Sequence, residues 1–396
     1  MPGRKSDVPG PILCVVGARP NLMKMAPLLR AFGRTPELPR VVLVHTGQHY
    51  DHALNDRLFV DLDLPRPDVN LGVGSATHAV QTAEVMRRFE PVLDEHRPSC
   101  VIVVGDVNST LACTLVAAKK QVPVAHVEAG LRSFDRSMPE EVNRVLTDQI
   151  SDLLYTTERS AHANLAREGI DPARAVFVGN LMIDSLHAAL PKAVEARRVV
   201  AGAGAAWPSG PADDRYGVVT LHRPSNVDGA DSLLSILGTL RRISRRLPLV
   251  WPMHPRTASS IERHGLGAMI ADAPLAVIPA QGYLEMVGLM QRATLVLTDS
   301  GGVQEETTAL GVPCLTLRDN TERPITVEQG TNSVVGTQPA AIEAAVEEVL
   351  RDGGKRGRLP ELWDGQAGPR IARHLSTWLA GRGLAATVKS RAGAAA

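Results

Sequence analysis

Val101–Val104 is an unbroken run of β-branched residues, closed at once by Gly105-Asp106. A strand apolar at every position has no face for water, so it must be buried on both sides. That requirement is met by a parallel sheet with helices on both faces. The rest of the first half keeps the same rhythm. Ile12–Val16, Val41–His45, Val122–Val127, Leu153–Thr156 and Ala175–Val178 read as further short strands. Leu22–Phe32, His78–Asp94, Ser109–Lys119 and Glu141–Ile150 read as the intervening helices.

The alternation stops near Leu186, and Val199–Asp214 is rich in Ala, Gly and Pro. That stretch reads as a linker or exposed loop. A second alternation follows, with strands at Gly217–Leu221, Leu249–Met253, Leu275–Ile278, Ala293–Thr298 and Pro313–Leu317. A last helix, about 369–380, lies beyond a Gly-rich break. The expected fold class is therefore α/β, with two doubly wound domains facing across a cleft. Residues 1–186 are expected to form the first domain, 187–214 a linker or loop, and 215–366 a second domain.

Composition narrows the function classes. The 396 residues are 44% hydrophobic but only 3% aromatic, so the cores must be built from Ala, Val, Leu and Ile. Lys+Arg 43 against Asp+Glu 42 argues against a broad nucleic-acid-binding face. The apolar runs are too short to cross a bilayer, and no signal peptide is expected. Cys14, Cys100, Cys113 and Cys314 show no C-x-x-C spacing and sit among apolar neighbours. They read as reduced core residues of a cytoplasmic protein.

Doubly wound sheets bind ligands beyond the carboxyl ends of their strands, so the residues there carry the functional information. Gly17-Ala18-Arg19-Pro20 ends the first strand, with Lys24 on the following helix. Two cations at a helix start suit a phosphate or carboxylate, or are simply solvated charges. Asp106 follows the most apolar strand, where it could equally cap the next helix. Glu128 closes a buried strand, which calls for a partner, and Arg132 is the nearest cation in sequence. Glu140 and Glu141 open a helix, ahead of Arg144. In the second half, His222-Arg223 ends a strand. The strongest local signal is Thr298-Asp299-Ser300-Gly301-Gly302, between a strand and a helix, where backbone N–H groups can approach a diphosphate. Glu306, on the same helix, suits a ribose diol. The full G-x-G-x-x-G fingerprint is missing from both halves, which argues against NAD as a diffusible cosubstrate. His45, His49, Asp51 and His52 could be read as a metal group, but a strand-to-loop change interrupts their spacing, and no metal site is expected.

Taken in order, these motifs resemble the non-hydrolysing UDP-N-acetylglucosamine 2-epimerase family. The matching pieces run from GARP (17–20) and TGQH (46–49) through GD (105–106), HVEAGLR (126–132), PEE (139–141) and LTD (146–148). They continue with HR (222–223), HP (254–255), LTDSGG (297–302) and TERP (321–324). The resemblance implies Rossmann-like domains in the GT-B arrangement, a homodimer, no cofactor, and a UDP-sugar substrate. It implies Asp106, Glu128 and Glu140 as acid/base groups, with His222 at the diphosphate and sugar. It further implies substrate contacts from Arg19, Lys24, Arg144 and Arg323, and from Gln281 and the backbone near Met286 on the uracil side. Ser300, Gly301 and Gly302 would hold the diphosphate, and Glu306 the ribose. The final helix would pack back on the first domain, as in relatives. Asn21 stands where many members carry Glu, and Tyr50-Asp51 follows His49 where substrate-activated members carry Arg. A hyperbolic rate curve is therefore expected. Relatives acting on UDP-linked 2,3-diacetamido uronic acids share SFDRSMPEE and HPRT, whereas Glu322-Arg323-Pro324 favours the simple N-acetylglucosamine form. A hydrolysing epimerase, a GT-B glycosyltransferase and a nucleotide-sugar sensor are the remaining alternatives.

Overall fold

The computed structural model describes residues 9–48, 52–208, 215–271 and 273–384. His49, Tyr50 and Asp51 lie outside the described residues, as does the side chain of His52. The chain divides into two compact units, residues 1–185 with 361–396, and 186–360.

The first unit begins with β1 (Ile12–Val16), α1 (Arg19–Gly33), β2 (Val41–His45), α2 (His52–Asp61) and β3 (Val69–Asn70). It continues through α3 (His78–His96), β4 (Cys100–Val104), α4 (Asn108–Lys119), β5 (Val124–Ala129) and α5 (Pro139–Ile150). Then come β6 (Leu153–Thr156), α6 (Arg159–Arg167), β7 (Ala175–Phe177) and α7 (Leu181–Ala189). The seven strands are parallel, in the order β3-β2-β1-β4-β5-β6-β7. As the unbroken apolar run requires, β1 and β4 are buried at every position. The strand order reverses between β1 and β4, which makes their carboxyl ends the ligand-binding crevice of such a sheet.

The second unit holds α8 (Ala196–Gly202), β8 (Gly217–Thr220), α9 (Pro224–Val227), α10 (Ala230–Ser244) and β9 (Leu249–Met253). It continues with α11 (Pro255–Arg263), α12 (Ala268–Ala271), β10 (Leu275–Pro279), α13 (Tyr283–Met290), β11 (Leu295–Thr298) and α14 (Gly301–Leu310). The last elements are β12 (Cys314–Thr316), α15 (Pro324–Glu328), β13 (Asn332–Val334) and α16 (Pro339–Asp352). Its six parallel strands run β10-β9-β8-β11-β12-β13, so the reversal falls between β8 and β11.

The linker expected over 187–214 is corrected in part. Helix α8 lies inside it, and Ala196, Val199 and Val200 pack with Tyr216, Val218 and Val250 in the core of the second unit. Three apolar residues at helical spacing outweigh the high Ala and Gly content there. Residues 209–214 lie outside the described residues.

After α16 the chain returns to the first unit, where α17 (Ala367–Gly381) packs on α1. Close approach explains Gly368, since a Cβ there would lie 2.9 Å from the Pro27 carbonyl oxygen. Asp184 accepts hydrogen bonds from the Ala367 and Gly368 N–H groups, and Trp363 Nε1 donates to the Thr157 carbonyl. Among the described residues, no helix is long and apolar enough to cross a membrane.

Candidate active site

In the first unit the reversal point gathers side chains from four elements. Asn21 closes the β1–α1 turn: its Oδ1 accepts from the Gly17 and Ala18 N–H groups, each at 3.0 Å. Its Nδ2 donates to the Val104 carbonyl at 2.9 Å, tying that turn to the end of β4. A carboxylate could not make the last bond, which gives the Asn at this position a physical reason. Lys24, one turn along α1, is buried and pairs with Glu128 at 2.6 Å.

Glu128 sits in a kink of β5. Its φ is +72°, a left-handed conformation rare for a residue with a side chain, and the β5–β6 register shifts between Val127 and Ala129. The cost of such backbone is of order 1–3 kcal/mol, and it persists where surrounding structure over-determines it. Gly105, at φ +68°, lets this cluster close: a Cβ there would lie 3.2 Å from Lys24 Nζ and 3.3 Å from Asn21 Nδ2. The Glu128–Arg132 pairing offered by sequence proximity is not formed. Arg132 instead holds Asp148 at 2.7 Å and Glu168 at 2.6 Å.

Asp106 does not cap α4, whose cap residue is Val107, without a side-chain hydrogen bond. Arg144 holds the Asp106 carboxylate instead, through Nη2 at 2.7 Å and Nε at 2.9 Å. Its Nη1 pairs with Glu141 at 2.6 Å. Burial would raise the Glu141 carboxyl, but the N–H groups of Ser133 and Phe134 and the Arg144 charge outweigh it and hold it below the usual range. So it is Glu141, the second residue of the Glu pair, that is drawn into the arginine cluster. Glu140 is exposed on the first turn of α5 and makes no ion pair among the described residues. Arg19 lies half-buried at the start of α1.

In the second unit the reversal point is organised by Asp299, which is fully buried. Its carboxylate accepts from the N–H groups of His222 and Arg223 and from Asn226 Nδ2. It also faces His222 Nδ1 at 3.0 Å. Burial would raise the Asp299 carboxyl, but the hydrogen bond and charge of His222 and those N–H groups outweigh it and hold it low. Asp299 thereby fixes the His222 ring through Nδ1 and leaves Nε2 on the partly exposed side. The His254 ring lies beside it, 5.4 Å between centroids.

Helix α14 starts at Gly301, just beyond Ser300, whose N–H is occupied by Thr298 Oγ1. The N–H groups of that first turn have no partner within the helix and favour an anion. Glu322 already lies against it, since a Cβ on Gly301 would stand 2.5 Å from Glu322 Oε1. Arg318 pairs with Glu322 at 2.8 Å and Arg223 at 3.4 Å. Burial would raise the Glu322 carboxyl, yet Arg323, Arg318 and Arg223 outweigh it and bring it down to about 2. Arg323 itself is buried and pairs with Glu305 at 3.0 Å. The Gln281 amide turns back to the Pro279 carbonyl, and Met286 packs against the core.

Glu306 behaves oppositely to Glu322. Buried in α14 opposite Tyr283 and near Glu305, its carboxyl is pushed up to about 8, by desolvation above all. The folded value lies above the unfolded one of about 4.3, so its stabilising contribution is full below that value and is lost as the pH rises towards 8. Glu306→Gln is therefore expected to flatten the decline of denaturant stability over this interval, whose limiting slope is about 1.4 kcal/mol per pH unit. Urea midpoints of both proteins at several pH values check this; parallel curves would refute it.

The motifs contained Asp299, Glu141, Glu322 and the buried pair His126 and Asp148, but gave none of them its role of orienting the groups at the strand ends. A histidine inside an otherwise apolar strand was the available signal for the last of these. His45, the described member of the histidine group, uses Nδ1 to accept from the Gly47 N–H at 3.0 Å.

Two Rossmann-like sheets, each with charged groups gathered at its reversal point, define a two-domain α/β protein of the class that binds ligands at those crevices. Comparison with known proteins makes this specific. The family model for UDP-N-acetylglucosamine 2-epimerase matches residues 32–376. The UDP-N-acetylglucosamine 2-epimerase of Methanocaldococcus jannaschii is 41% identical over 365 residues, covering 91% of this chain and 98% of that protein. The UDP-2,3-diacetamido-2,3-dideoxy-D-glucuronate 2-epimerase of Pseudomonas aeruginosa is 41% identical over 372 residues, covering 92% and 99%. A crystal structure of the M. jannaschii enzyme in complex with UDP-GlcNAc and UDP matches with a TM-score of 0.83 at 40% identity, over 92% of this chain and 99% of that one. The chain belongs to the UDP-N-acetylglucosamine 2-epimerase family and is an isomerase with its two-domain α/β fold.

Proposed function

We propose that this protein interconverts UDP-N-acetylglucosamine and UDP-N-acetylmannosamine by eliminating and re-adding UDP. The observation that carries this reading is the pair of carboxylates at one reversal point. Asp106 lies just beyond β4 and Glu128 near the end of the neighbouring β5, and each is held by a cation, Arg144 and Lys24 respectively. The hydrogen on carbon 2 of an N-acetylhexosamine is not next to a carbonyl, so simple proton abstraction is unfavourable. Breaking the bond from carbon 1 to the diphosphate oxygen as carbon 2 loses its proton gives UDP and a 2-acetamidoglucal. Re-addition of UDP at carbon 1, with a proton delivered to the opposite face of carbon 2, gives the epimer.

Such a route needs acid/base groups for both faces and stabilisation of the departing diphosphate. Asp106, Glu128 and Glu140 are the acid/base candidates of the first unit. Arg19, Lys24 and Arg144 meet the substrate or hold these carboxylates. In the second unit His222, Arg323 and the Ser300–Gly302 turn receive the diphosphate, Glu306 the ribose, and Gln281 with the Met286 backbone the uracil. The protein acts as a cytoplasmic homodimer that supplies polysaccharide biosynthesis.

The test is proton NMR of the protein with UDP-N-acetylglucosamine in heavy water, without added metal or NAD. UDP-N-acetylmannosamine carrying deuterium at carbon 2 is the expected product. Absence of exchange beside an active control enzyme would refute the substrate. The Pseudomonas aeruginosa relative favours a second reading, epimerisation of a UDP-2,3-diacetamido uronic acid. The same experiment with that sugar decides between them.

A further inference from the structure

His126 lies in β5 between Ala125 and Val127 and is fully buried. His126 has no task in the proposed reaction. An apolar side chain would fill such a strand position without the cost of burying polar atoms. Its Nδ1 lies 2.7 Å from Asp148 Oδ1, and its Nε2 lies 2.8 Å from the Gly105 carbonyl oxygen. The Gly105 carbonyl can only accept, so Nε2 donates to it, and Nδ1 faces the Asp148 carboxyl group.

The bonds lead to two informative places. Gly105 is the residue before Asp106. Asp148 is fully buried at the end of α5, and its Oδ2 accepts from the Gly130 N–H at 3.0 Å. Gly130 is two residues past Glu128, in the same left-handed kink, with φ +78°. A continuous chain of hydrogen bonds thus runs from the Gly105 carbonyl through His126 and Asp148 to the Gly130 N–H. It brackets both Asp106 and Glu128. The β4–β5 pairing is regular as far as Val104 and Val127, and Glu128 lies just beyond it, in the kink where the β5–β6 register shifts. Arg132 closes the far side of Asp148, so the carboxylate is satisfied on every side the structure shows.

We propose that the His126–Asp148 pair is a positioning device that locks the Asp106 turn and the Glu128 kink to one another. It rests on the proposed function for what the two carboxylates do. His126 and Asp148 act through them and are positioning residues.

Two variants separate the two ends of the device. His126→Asn keeps a donor near Asp148 and gives up the Gly105 carbonyl. His126→Gln reaches towards Gly105 and gives up Asp148. Each is expected to lower kcat for exchange at carbon 2 on the order of 10²-fold, the cost of a misplacement of about 1 Å. KM and UDP affinity should stay within about twofold of wild type, the signature of an interaction felt only at the chemical step. Nitrogen-15 NMR of the wild-type protein should show one histidine whose Nε2 hydrogen is held in a hydrogen bond, a signal absent from both variants. Folded variants with wild-type kcat would overturn the proposal, as would a loss shared equally by kcat and UDP affinity. A wild-type spectrum in which the His126 Nε2 carries no hydrogen would overturn it as well, and that measurement stands even if the variants fail to fold. A wild-type protein inactive on UDP-sugars would instead refute the functional reading, leaving the spectrum to judge the pair.

Discussion

Glu128→Gln is expected to slow exchange at carbon 2 on the order of 10³-fold, within the range that acid/base groups contribute. UDP affinity, measured by calorimetry, should be nearly unchanged, because the residues proposed to hold the nucleotide belong to the second unit. The same change removes the counter-charge of Lys24, which is buried against Glu128 at 2.6 Å. Leaving one member of a buried pair alone costs about 3–5 kcal/mol. Stability and chemistry can be told apart with the double variant Lys24→Met/Glu128→Gln. It should regain most of the lost denaturant midpoint and none of the lost rate. Rate recovering together with stability would show that Glu128 has a purely structural task, and the assignment would fall.

Gly301→Ala addresses the second unit. The added methyl would stand 2.5 Å from Glu322 Oε1, a carboxylate that cannot swing aside freely because Arg318 and Arg223 hold it. Either the carboxylate is pushed out of its arginine cluster or the first turn of α14 moves. In both cases the N–H groups proposed for the diphosphate lose their aim. UDP affinity is expected to fall on the order of 10²-fold, the usual scale for a lost preorganised anion site. Titration of UDP checks this, with circular dichroism to establish that the variant folds. A folded variant binding UDP within about threefold of wild type would move the diphosphate elsewhere.

These two sites show what could be read in the chain and what could not. Strands and their ends were legible because an apolar run such as Val101–Val104 admits one environment, and the residue after it is then placed. Asp106, Glu128, His222 and the Asp299–Gly302 turn all follow such runs. Their partners were not legible. Lys24 and Glu128 stand far apart in sequence, as do Asp106 and Arg144, and only the strand order brings them together. Sequence proximity therefore offered Arg132 as a partner for Glu128, but Arg132 is engaged by Asp148 and Glu168. Helix α8 was hidden for a different reason. Its Ala and Gly content resembles a connector, and only Ala196, Val199 and Val200 betray the buried stripe.

The return of α17 to the first unit has a consequence for how the protein is made. Residues 186–360 are contiguous and can complete their fold as soon as they leave the ribosome. The first unit cannot. Its helix α1 waits for the surface carried by Ala367–Gly381, so the sheet synthesised first is the one finished last. During most of synthesis the face of α1 that α17 covers stays open, while β1 and β4 already pack against its other side. Loss of that stretch would therefore harm the half of the molecule made earliest, while leaving the later-made half able to fold.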